Sequence, residues 1–235
     1  IRGIALFHGP GSAAYAWVKF GEVVYMSEAR TQHFVAQLLN TTTDDAPVRV
    51  PLVYLAFEAK GYGFIVMEYA ACTSQDAKRV GAAVQYLFGI QGPELRPGPV
   101  GGGIIGHRFF VDCESSVAYG SVQELENHVN GILRFAKHPY SVTFAPEVEA
   151  YGLRLCLSDM NENNFLKDEQ GKIVAIDFEA TSFLPICFME MALSDADGFA
   201  WLVSQHVKVP KSGHLKVLQR ASYILTPYSR NSIGK

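Results

Sequence analysis

The sequence has no long apolar run, no excess of basic residues and little charge. No stretch of about 18 consecutive apolar residues occurs in the 235-residue chain, so no membrane-spanning helix is expected. The formal net charge is −3, which gives no basic field for binding nucleic acid or an anionic membrane. Charged residues make up only 18% of the chain, whereas the apolar fraction of 49% is enough for a sizeable core.

Several common cysteine, histidine and serine motifs are also missing. No C-x-x-C pair occurs, so we expect reduced, buried, intracellular thiols and no disulfide framework at Cys72, Cys113, Cys156 and Cys187. None of the seven histidines has a metal-ligand spacing, and no G-x-S-x-G occurs, which argues against a zinc site and a serine hydrolase. Because no signal-peptide pattern is present, the expected location is the cytoplasm.

The sequence does contain an ordered series of polar residues between positions 158 and 185. Asp159 is followed five positions later by Asn164, then by an apolar pair, a turn at 168–172 and a second apolar run that ends in Asp177. A strand-turn-strand pattern brings its two ends together. Asp159, Asn164 and Asp177 could therefore converge on one point.

Such a trio suits metal-assisted phosphoryl transfer. One carboxylate can accept the proton of an attacking hydroxyl, while an amide oxygen and a second carboxylate hold the Mg²⁺ that bridges the nucleotide phosphates. The order Asp, four residues, Asn, strand and Asp is that of the catalytic and metal-binding loops of kinases. The alternative is an ordinary polar hairpin whose acids only cap turns.

This stretch resembles the aminoglycoside phosphotransferase family of kinase-like proteins, in particular the fungal phosphotransferase-family members. Those proteins carry a His-Gly-Asp-Leu-x-x-x-x-Asn loop, followed by Ile-Asp-Trp-Glu or Ile-Asp-Phe-Glu. Here Leu157 to Asn164 reads Leu-Ser-Asp-Met-Asn-Glu-Asn-Asn, and Ile176 to Glu179 reads Ile-Asp-Phe-Glu. One position departs, because Leu157 stands where the family has the histidine that braces the loop.

The resemblance implies a two-lobed, protein-kinase-like α+β fold. Residues 1–70 are expected to form a small antiparallel β-rich lobe with one helix, which binds nucleotide. Residues 71–235 are expected to form a larger helical lobe with the catalytic and metal loops and the acceptor site, and the boundary is expected near residues 70–73. The family's phosphate-covering hairpin lies one strand further upstream, so the small lobe is expected to be incomplete.

Lys19 has two interpretations. It lies near the end of the second strand of a hairpin predicted over residues 4–7 and 14–20, where an exposed strand lysine is the plainer assignment. Residues 24–39 have helical spacing with Glu28 near the start, and by the resemblance Glu28 pairs with Lys19, which holds the nucleotide phosphates. By the same resemblance, the adenine is bound at the interlobe hinge by backbone groups of Glu68, Tyr69 and Ala70.

Two glycine-rich segments look like phosphate loops but favour structural roles. In residues 9–12, Pro10 removes one backbone donor, and a turn between two strands is the commoner occurrence. Residues 101–103 neither follow a strand nor open a helix with Lys-Ser or Lys-Thr. Both segments are therefore predicted to be turns or loops.

The remaining pattern predicts a strand over 48–57, a strand over 63–69 and a series of helices. A capping box at Ser121–Glu124 predicts a helix over 122–135. Other helices are predicted over residues 75–90, 188–204 and 213–225, and residues 226–235 are predicted to be frayed.

These features predict an ATP- and Mg²⁺-dependent phosphotransferase that moves the γ-phosphate to a hydroxyl of a small molecule. Asp159 would be the base, and Asn164 and Asp177 the Mg²⁺ ligands. Leu157 and the short N-terminus motivate two alternatives, a non-catalytic kinase-like nucleotide-binding or scaffold protein (a pseudokinase) and a fragment that folds poorly. Retention of all three polar residues argues against a pseudokinase. The acceptor stays open, since no acidic run suits a polycationic drug.

Overall fold

A computed structural model describes residues 2–41, 46–70, 76–194 and 198–235. It is a mixed α+β structure with an antiparallel sheet in its N-terminal region and a largely helical C-terminal part, as predicted. The strands are β1 (Arg2–Phe7), β2 (Ala14–Gly21), β3 (Val48–Arg49), β4 (Val53–Ala59), β5 (Tyr62–Glu68), β6 (Arg154–Leu157), β7 (Phe165–Lys167), β8 (Ile173–Ala175) and β9 (Thr181–Leu184). The helices are α1 (Met26–Thr41), α2 (Ala77–Phe88), α3 (Val122–Phe135), α4 (Ala145–Tyr151), α5 (Ile186–Ser194), α6 (Gly198–Ser204) and α7 (Leu215–Leu225).

The N-terminal sheet has the strand order β1-β2-β5-β4, with every neighbouring pair antiparallel. The predicted hairpin of β1 and β2 is confirmed. Hydrogen bonds within the turn stabilise it: the Ser12 hydroxyl accepts from the Gly9 amide at 3.1 Å and donates to the Gly9 carbonyl at 2.8 Å. The Gly9 amide is thereby engaged within the turn, as expected for a connecting turn.

Helix α1 packs between the sheet and the rest of the molecule. Near its N-terminus, Ala29 joins Ile65 and Met67 in a small apolar cluster under the sheet. Further along, Val35 and Leu39 belong to the large core that the C-terminal helices share. The helix therefore fixes the sheet against the helical part.

The predicted strand over residues 48–57 is wrong, because the segment forms two strands that join different sheets. Pro51 has no N–H to donate to a ladder, and its carbonyl accepts from the Gln32 amide at 3.0 Å. Before it, β3 pairs in parallel with β8. After it, β4 returns to the N-terminal sheet and pairs with β5.

The predicted helix over 122–135 is confirmed as α3. The Ser121 hydroxyl accepts from the Glu124 amide at 3.2 Å, as in a capping box. The Glu124 carboxylate, however, accepts from the Gly120 amide at 2.7 Å. Helix α2 begins after Asp76, whose side chain accepts from the Lys78 amide at 3.0 Å, so the 75–90 prediction holds except at its ends.

Two predictions in the C-terminal part need correction. The single helix expected over 188–204 is two helices, and Gly198 at the start of α6 has φ 49°, which a continuous right-handed helix does not allow. The tail expected to fray is held in place, since Asn231 and Ile233 hydrogen-bond to the rest of the molecule.

The predicted strand-turn-strand motif is confirmed by β7 and β8, which pair antiparallel. Asp168 closes their turn by accepting from the amides of Gln170 at 3.1 Å and Lys172 at 2.8 Å. Strands β6 and β9 pair antiparallel on either side of this motif. The two sheets therefore place Asp159 and Asp177 at the same end.

Other expectations have mixed outcomes. Cys156 and Cys187 are free and buried, Cys113 is exposed in a loop and so corrects the expectation of burial, and Cys72 lies outside the described residues. Residues 71–73 of the expected lobe boundary also lie outside them, and the division into 1–70 and 71–235 stays a prediction. In the described ranges, no helix has the length and apolar character to cross a bilayer.

Candidate active site

The ends of these strands open into a cleft of about 700 Å³. One side is formed by the start of α1, and the other by the segment that follows β6 and the segment that follows β8. The charged residues that line it are Glu28, Arg108, Asp112, Glu114, Asp159, Glu162, Asp177 and Glu179. Arg108 is the one basic side chain among the described residues that line the cleft.

Asp159 and Asn164 lie in contact, as the hairpin pattern predicts. The Asn164 side-chain amide donates to Asp159 Oδ2 at 2.9 Å and to the Asp159 carbonyl at 3.3 Å. Asn164 is buried, with 9% exposed, whereas Asp159 is exposed to the cleft. A buried amide therefore fixes the orientation of a solvent-facing carboxylate.

Ser158 braces the segment in which the family histidine is replaced. Its hydroxyl accepts from the Arg108 amide at 2.7 Å, and its own amide donates to the Ala180 carbonyl at 2.9 Å. Leu157 itself is buried and pairs with Thr181 between β6 and β9. The backbone next to Asp159 is thus held from two sides without a histidine.

Lys19 joins the N-terminal sheet to the C-terminal acids. Its ammonium group lies 2.6 Å from Glu28 Oε1 and 2.8 Å from Asp177 Oδ1, and 3.6 Å from Glu179 Oε2. Lys19 is 6% exposed and Glu28 is 4% exposed. The expected Lys19–Glu28 pair is therefore formed, and Lys19 is not an exposed strand lysine.

Three carboxylates, from Glu28, Asp177 and Glu179, have oxygen atoms within 4.8 Å of one another. Glu28 Oε2 is buried and has no hydrogen-bond partner among the described residues. Asp177 has φ 61°, in the left-handed region that costs energy for a residue other than glycine. Three carboxylates around the single ammonium group of Lys19 leave an excess of negative charge, which suits an oxygen-liganded cation.

The charge cluster also shifts the pKa of its members. Burial raises the pKa of Glu28 to about 7, and the neighbouring Lys19 offsets only part of this effect. For Lys19, burial alone lowers the pKa, but the negative charges of Glu28 and Asp177 outweigh it and raise the pKa. Burial also raises the pKa of Glu179.

The expected hinge is partly engaged by protein contacts. The Glu68 amide donates to the Leu52 carbonyl at 2.9 Å, and the Tyr69 amide donates to the Tyr15 carbonyl at 3.3 Å. The Glu68 carboxylate pairs with Arg49 at 2.8 Å. Glu68, Tyr69 and Ala70 do not line the large cleft, so their expected contact with adenine stays a prediction.

Trp17 is a residue that the sequence interpretation missed. It lies two positions before Lys19 on β2, so the two side chains lie on the same face of the sheet. Its indole covers the Gly3 backbone, where a Cβ atom would lie 1.9 Å from Trp17 Cζ2. Trp17 pairs with Met67, which lies one residue before the end of β5, where the expected hinge begins. Because side chains alternate between the two faces of a strand, the position of Trp17 two residues before Lys19 was the signal available in the sequence.

The predicted site residues fall into two groups in space. Lys19, Glu28 and Asp177 form a single charged cluster, and Asp159 with Asn164 forms a second contact on the same cleft. The Asn164 carbonyl accepts from the Ile176 amide at 2.9 Å, so Asn164 lies beside the residue that precedes Asp177. Glu179 belongs to the charged cluster although sequence reasoning assigned it no role.

No family model and no curated protein matches the sequence. Among solved structures, a protein assigned as a fructosamine-3-kinase of Haemophilus somnus 129PT matches with 15% identity and a TM-score of 0.50, over 97% of this chain and 84% of that one. Choline kinase LicA from Streptococcus pneumoniae has 15% identity and a TM-score of 0.45, over 94% and 79%. The gentamicin complex of APH(2")-IIa has 15% identity and a TM-score of 0.44, over 97% and 82%.

At this identity the likeness concerns the fold and not the activity. The chain has a kinase-like α+β fold, with an antiparallel N-terminal sheet and a helical C-terminal part. The expectation of that fold is confirmed.

Proposed function

We propose that this protein is an ATP- and Mg²⁺-dependent phosphotransferase that moves the γ-phosphate to a hydroxyl of a small molecule. The observation that carries this proposal is the buried Lys19 that contacts both Glu28 and Asp177, two acids that line the same cleft as Asp159. A buried ammonium held by two acids, beside an exposed carboxylate that is fixed by an amide, suits phosphate binding and proton abstraction.

Each residue has a role in this scheme. Asp159 accepts the proton of the attacking hydroxyl, and the Asn164 amide keeps its carboxylate oriented. Lys19, held by Glu28, binds the nucleotide phosphates. Asn164 and Asp177 would hold Mg²⁺, which when bound neutralises developing charge on the phosphates. The carboxylate-rich donor set fits this ion, and Glu179 is a further candidate ligand.

The nucleobase is assigned to the region between Lys19 and the hinge. The amides of Glu68 and Tyr69 already donate to protein carbonyls, so adenine would use the carbonyl oxygens of this segment and the amide of Ala70. Trp17, on the same sheet face as Lys19, offers an indole for stacking on the base.

The acceptor is proposed to be a hydroxyl compound that also carries a positive charge. Asp112 and Glu114 come from one loop and Glu162 from another segment, and all three face the cleft with Asp159, where Arg108 is the one basic side chain among the described lining residues. No continuous acidic run exists in the sequence, so the fold is what brings these carboxylates together.

The second candidate is a non-catalytic nucleotide-binding protein, which Leu157 in place of the family histidine favours. The contacts of Ser158 supply an alternative brace for the same backbone. For this reason we place the enzymatic function first.

Thermal unfolding with and without Mg²⁺-ATP tests the nucleotide site. Wild-type protein at a ligand concentration about 100 times the dissociation constant should gain about 2.7 kcal/mol of stability. Asp177→Asn should lose this gain, because it removes one negative ligand and one partner of Lys19. Asp76→Asn is the matched control, since it makes the same change at an exposed helix cap where Asn serves equally well. Equal gains in stability in wild type, Asp177→Asn and Asp76→Asn would contradict a nucleotide site that includes Asp177.

Phosphate transfer is then measured with radiolabelled ATP on choline, a fructosamine, gentamicin and spectinomycin, which the names of the similar structures suggest. Glycerol serves as the uncharged comparison. Wild type should phosphorylate a cationic compound, and Asp159→Asn should reduce the rate by about 10²-fold or more while keeping the Mg²⁺-ATP stabilisation. Nucleotide binding with no transfer in wild type would favour the non-catalytic candidate.

A further inference from the structure

A strained loop forms part of the cleft wall. In residues 111–114, called here the 111–114 loop, Asp112 has φ 56° and Cys113 has φ 59°. Two successive residues other than glycine in the left-handed region are unfavourable, and such conformations persist only where the surroundings hold them.

The side chain of Asn231, in the C-terminal tail, holds this loop. Its Oδ1 accepts from the Val111 amide at 2.8 Å. Its Nδ2 donates to the Val111 carbonyl at 2.8 Å and to the Glu114 carbonyl at 2.7 Å. One amide group thus satisfies three backbone groups on the two sides of the strained pair.

The tail is itself fixed to the helical part. The Ser116 hydroxyl donates to the Asn231 carbonyl at 2.8 Å, and His128 Nε2 donates to the Ile233 carbonyl at 2.8 Å. Gly234 lies so close to α3 that a Cβ atom on Gly131 would come within 1.8 Å of the Gly234 carbonyl oxygen. The anchor of Asn231 is therefore a close-packed contact and not a loose terminus.

The loop faces the same cleft as the proposed base. Asp112, Cys113 and Glu114 line it together with Asp159. Across the opening, the Tyr25 hydroxyl donates to Glu114 Oε2 at 3.4 Å. Partial burial raises the pKa of the Cys113 thiol, the Arg108 guanidinium opposes this effect, and the negative charge of Asp159 adds to it.

We propose that the 111–114 loop is one wall of the acceptor site and that Asn231 is the positioning residue that holds it there. Acceptor use then depends on the C-terminal tail, whereas nucleotide binding, which the Lys19 cluster performs, does not. This inference rests on the proposed phosphotransferase function, because a wall for the acceptor has meaning only if an acceptor is used.

The test compares Asn231→Ala and Asn231→Asp with Gln123→Ala. Asp keeps the acceptor for the Val111 amide but turns a carboxylate oxygen toward the Val111 and Glu114 carbonyl oxygens, so its effect should be at least as large as that of Ala. Gln123 is an exposed amide whose bonds stay within its own helix, which makes it the matched control. In Asn231→Ala, amide hydrogen exchange over residues 109–116 should accelerate about tenfold, while residues 158–167 keep their protection.

The functional measurement compares the effect of each variant on the KM for the acceptor with its effect on the Kd for Mg²⁺-ATP. The acceptor is the compound that wild type phosphorylates fastest among choline, a fructosamine, gentamicin and spectinomycin. Asn231→Ala should raise the KM for that acceptor about tenfold and leave the Kd for Mg²⁺-ATP within about twofold, and Gln123→Ala should change neither.

Two results would overturn the inference. Unchanged exchange over residues 109–116 in Asn231→Ala would show that the tail does not hold the loop. Faster exchange with an unchanged KM for the acceptor would show that the loop is not an acceptor wall. Wild type that binds no Mg²⁺-ATP, or transfers phosphate to none of the compounds, counts against the proposed function instead. The exchange measurement, which needs no nucleotide, still decides whether Asn231 holds the loop.

Discussion

At the scale of single residues, the site depends on side chains that hold others more than on the reacting groups alone. Asp159 is fixed by Asn164, and Lys19 is fixed by Glu28. These partners are buried, while the groups that they hold face the cleft or the charge cluster. A carboxylate or ammonium placed in this way loses little freedom when a substrate binds, which is the advantage of preorganisation.

Ser158→Ala is expected to lower turnover and spare nucleotide binding. The substitution removes the acceptor of the Arg108 amide, next to the residue proposed as the base. A loss of about 1 kcal/mol in positioning corresponds to about a fivefold lower kcat. Steady-state kinetics with calorimetric Mg²⁺-ATP binding measure both quantities.

Ser222→Ala is the control for that experiment. Its hydroxyl also makes one hydrogen bond to a backbone group, the Phe109 carbonyl at 2.8 Å, but it does not adjoin Asp159. Equal losses of kcat in the two variants would mean that Ser158 acts on general stability and not on the position of the base.

At the scale of elements, local sequence patterns predicted the strands, turns and helix starts that depend on neighbouring residues. Alternating apolar residues give the β1–β2 hairpin, and the capping box at Ser121 gives the start of α3. The break of the 48–57 strand was also visible in the sequence, because Pro51 cannot take part in a ladder, yet the apolar run outweighed it. The register that places β3 against β8 had no local signal.

The cleft wall could not be predicted from local pattern. Asp112 and Glu114 are far in the chain from Glu162 and Glu179, and only tertiary packing brings the two pairs to one surface. The same applies to the tail, where a polar segment without periodicity predicts fraying. Its docking depends on the close approach of Gly131 and Gly234, which no sequence spacing reveals.

Helix α1 is held in place by contacts with the 100–102 segment. The Arg30 guanidinium donates to the Val100 carbonyl at 3.0 Å and to the Gly102 carbonyl at 3.2 Å. Thr31 accepts from the Val100 amide at 3.0 Å. Since Glu28 lies on the same helix, these contacts fix the position of the Lys19–Glu28 pair relative to Asp177.

Arg30→Ala is therefore expected to weaken Mg²⁺-ATP binding about fivefold, which corresponds to about 1 kcal/mol. Calorimetric titration measures the effect. Arg79→Ala is the matched control, because Arg79 also donates from an exposed helix position to a glycine carbonyl, that of Gly171 at 3.2 Å, away from the cleft. A similar loss in both variants would contradict a specific role for the α1 anchor.

At the scale of the whole molecule, a buried histidine links the cleft to the large core. His107 is 0% exposed, its Nδ1 accepts from the Phe109 amide at 3.0 Å, and its Nε2 donates to the Phe188 carbonyl at 3.1 Å. Both ring nitrogens are used in the neutral form, so protonation would break the bond at Nδ1. Burial lowers the pKa of His107 from 6.5 to about 3.

His107 makes the free energy of unfolding of the whole protein decrease as the pH falls. Below pH 6.5 the unfolded chain takes up a proton that the folded protein does not, so the contribution of His107 is complete above pH 6.5 and declines as the pH falls toward 3. Urea unfolding at pH 6.5 and pH 5 should show a loss in wild type about 2 kcal/mol larger than in His107→Gln, which cannot titrate. The exposed His33 supplies the control, and His33→Gln should keep the wild-type difference. If His107→Gln lost as much stability as wild type over this interval, acid sensitivity would have to come from other groups, and the link between the cleft segment and α5 would not depend on a neutral imidazole.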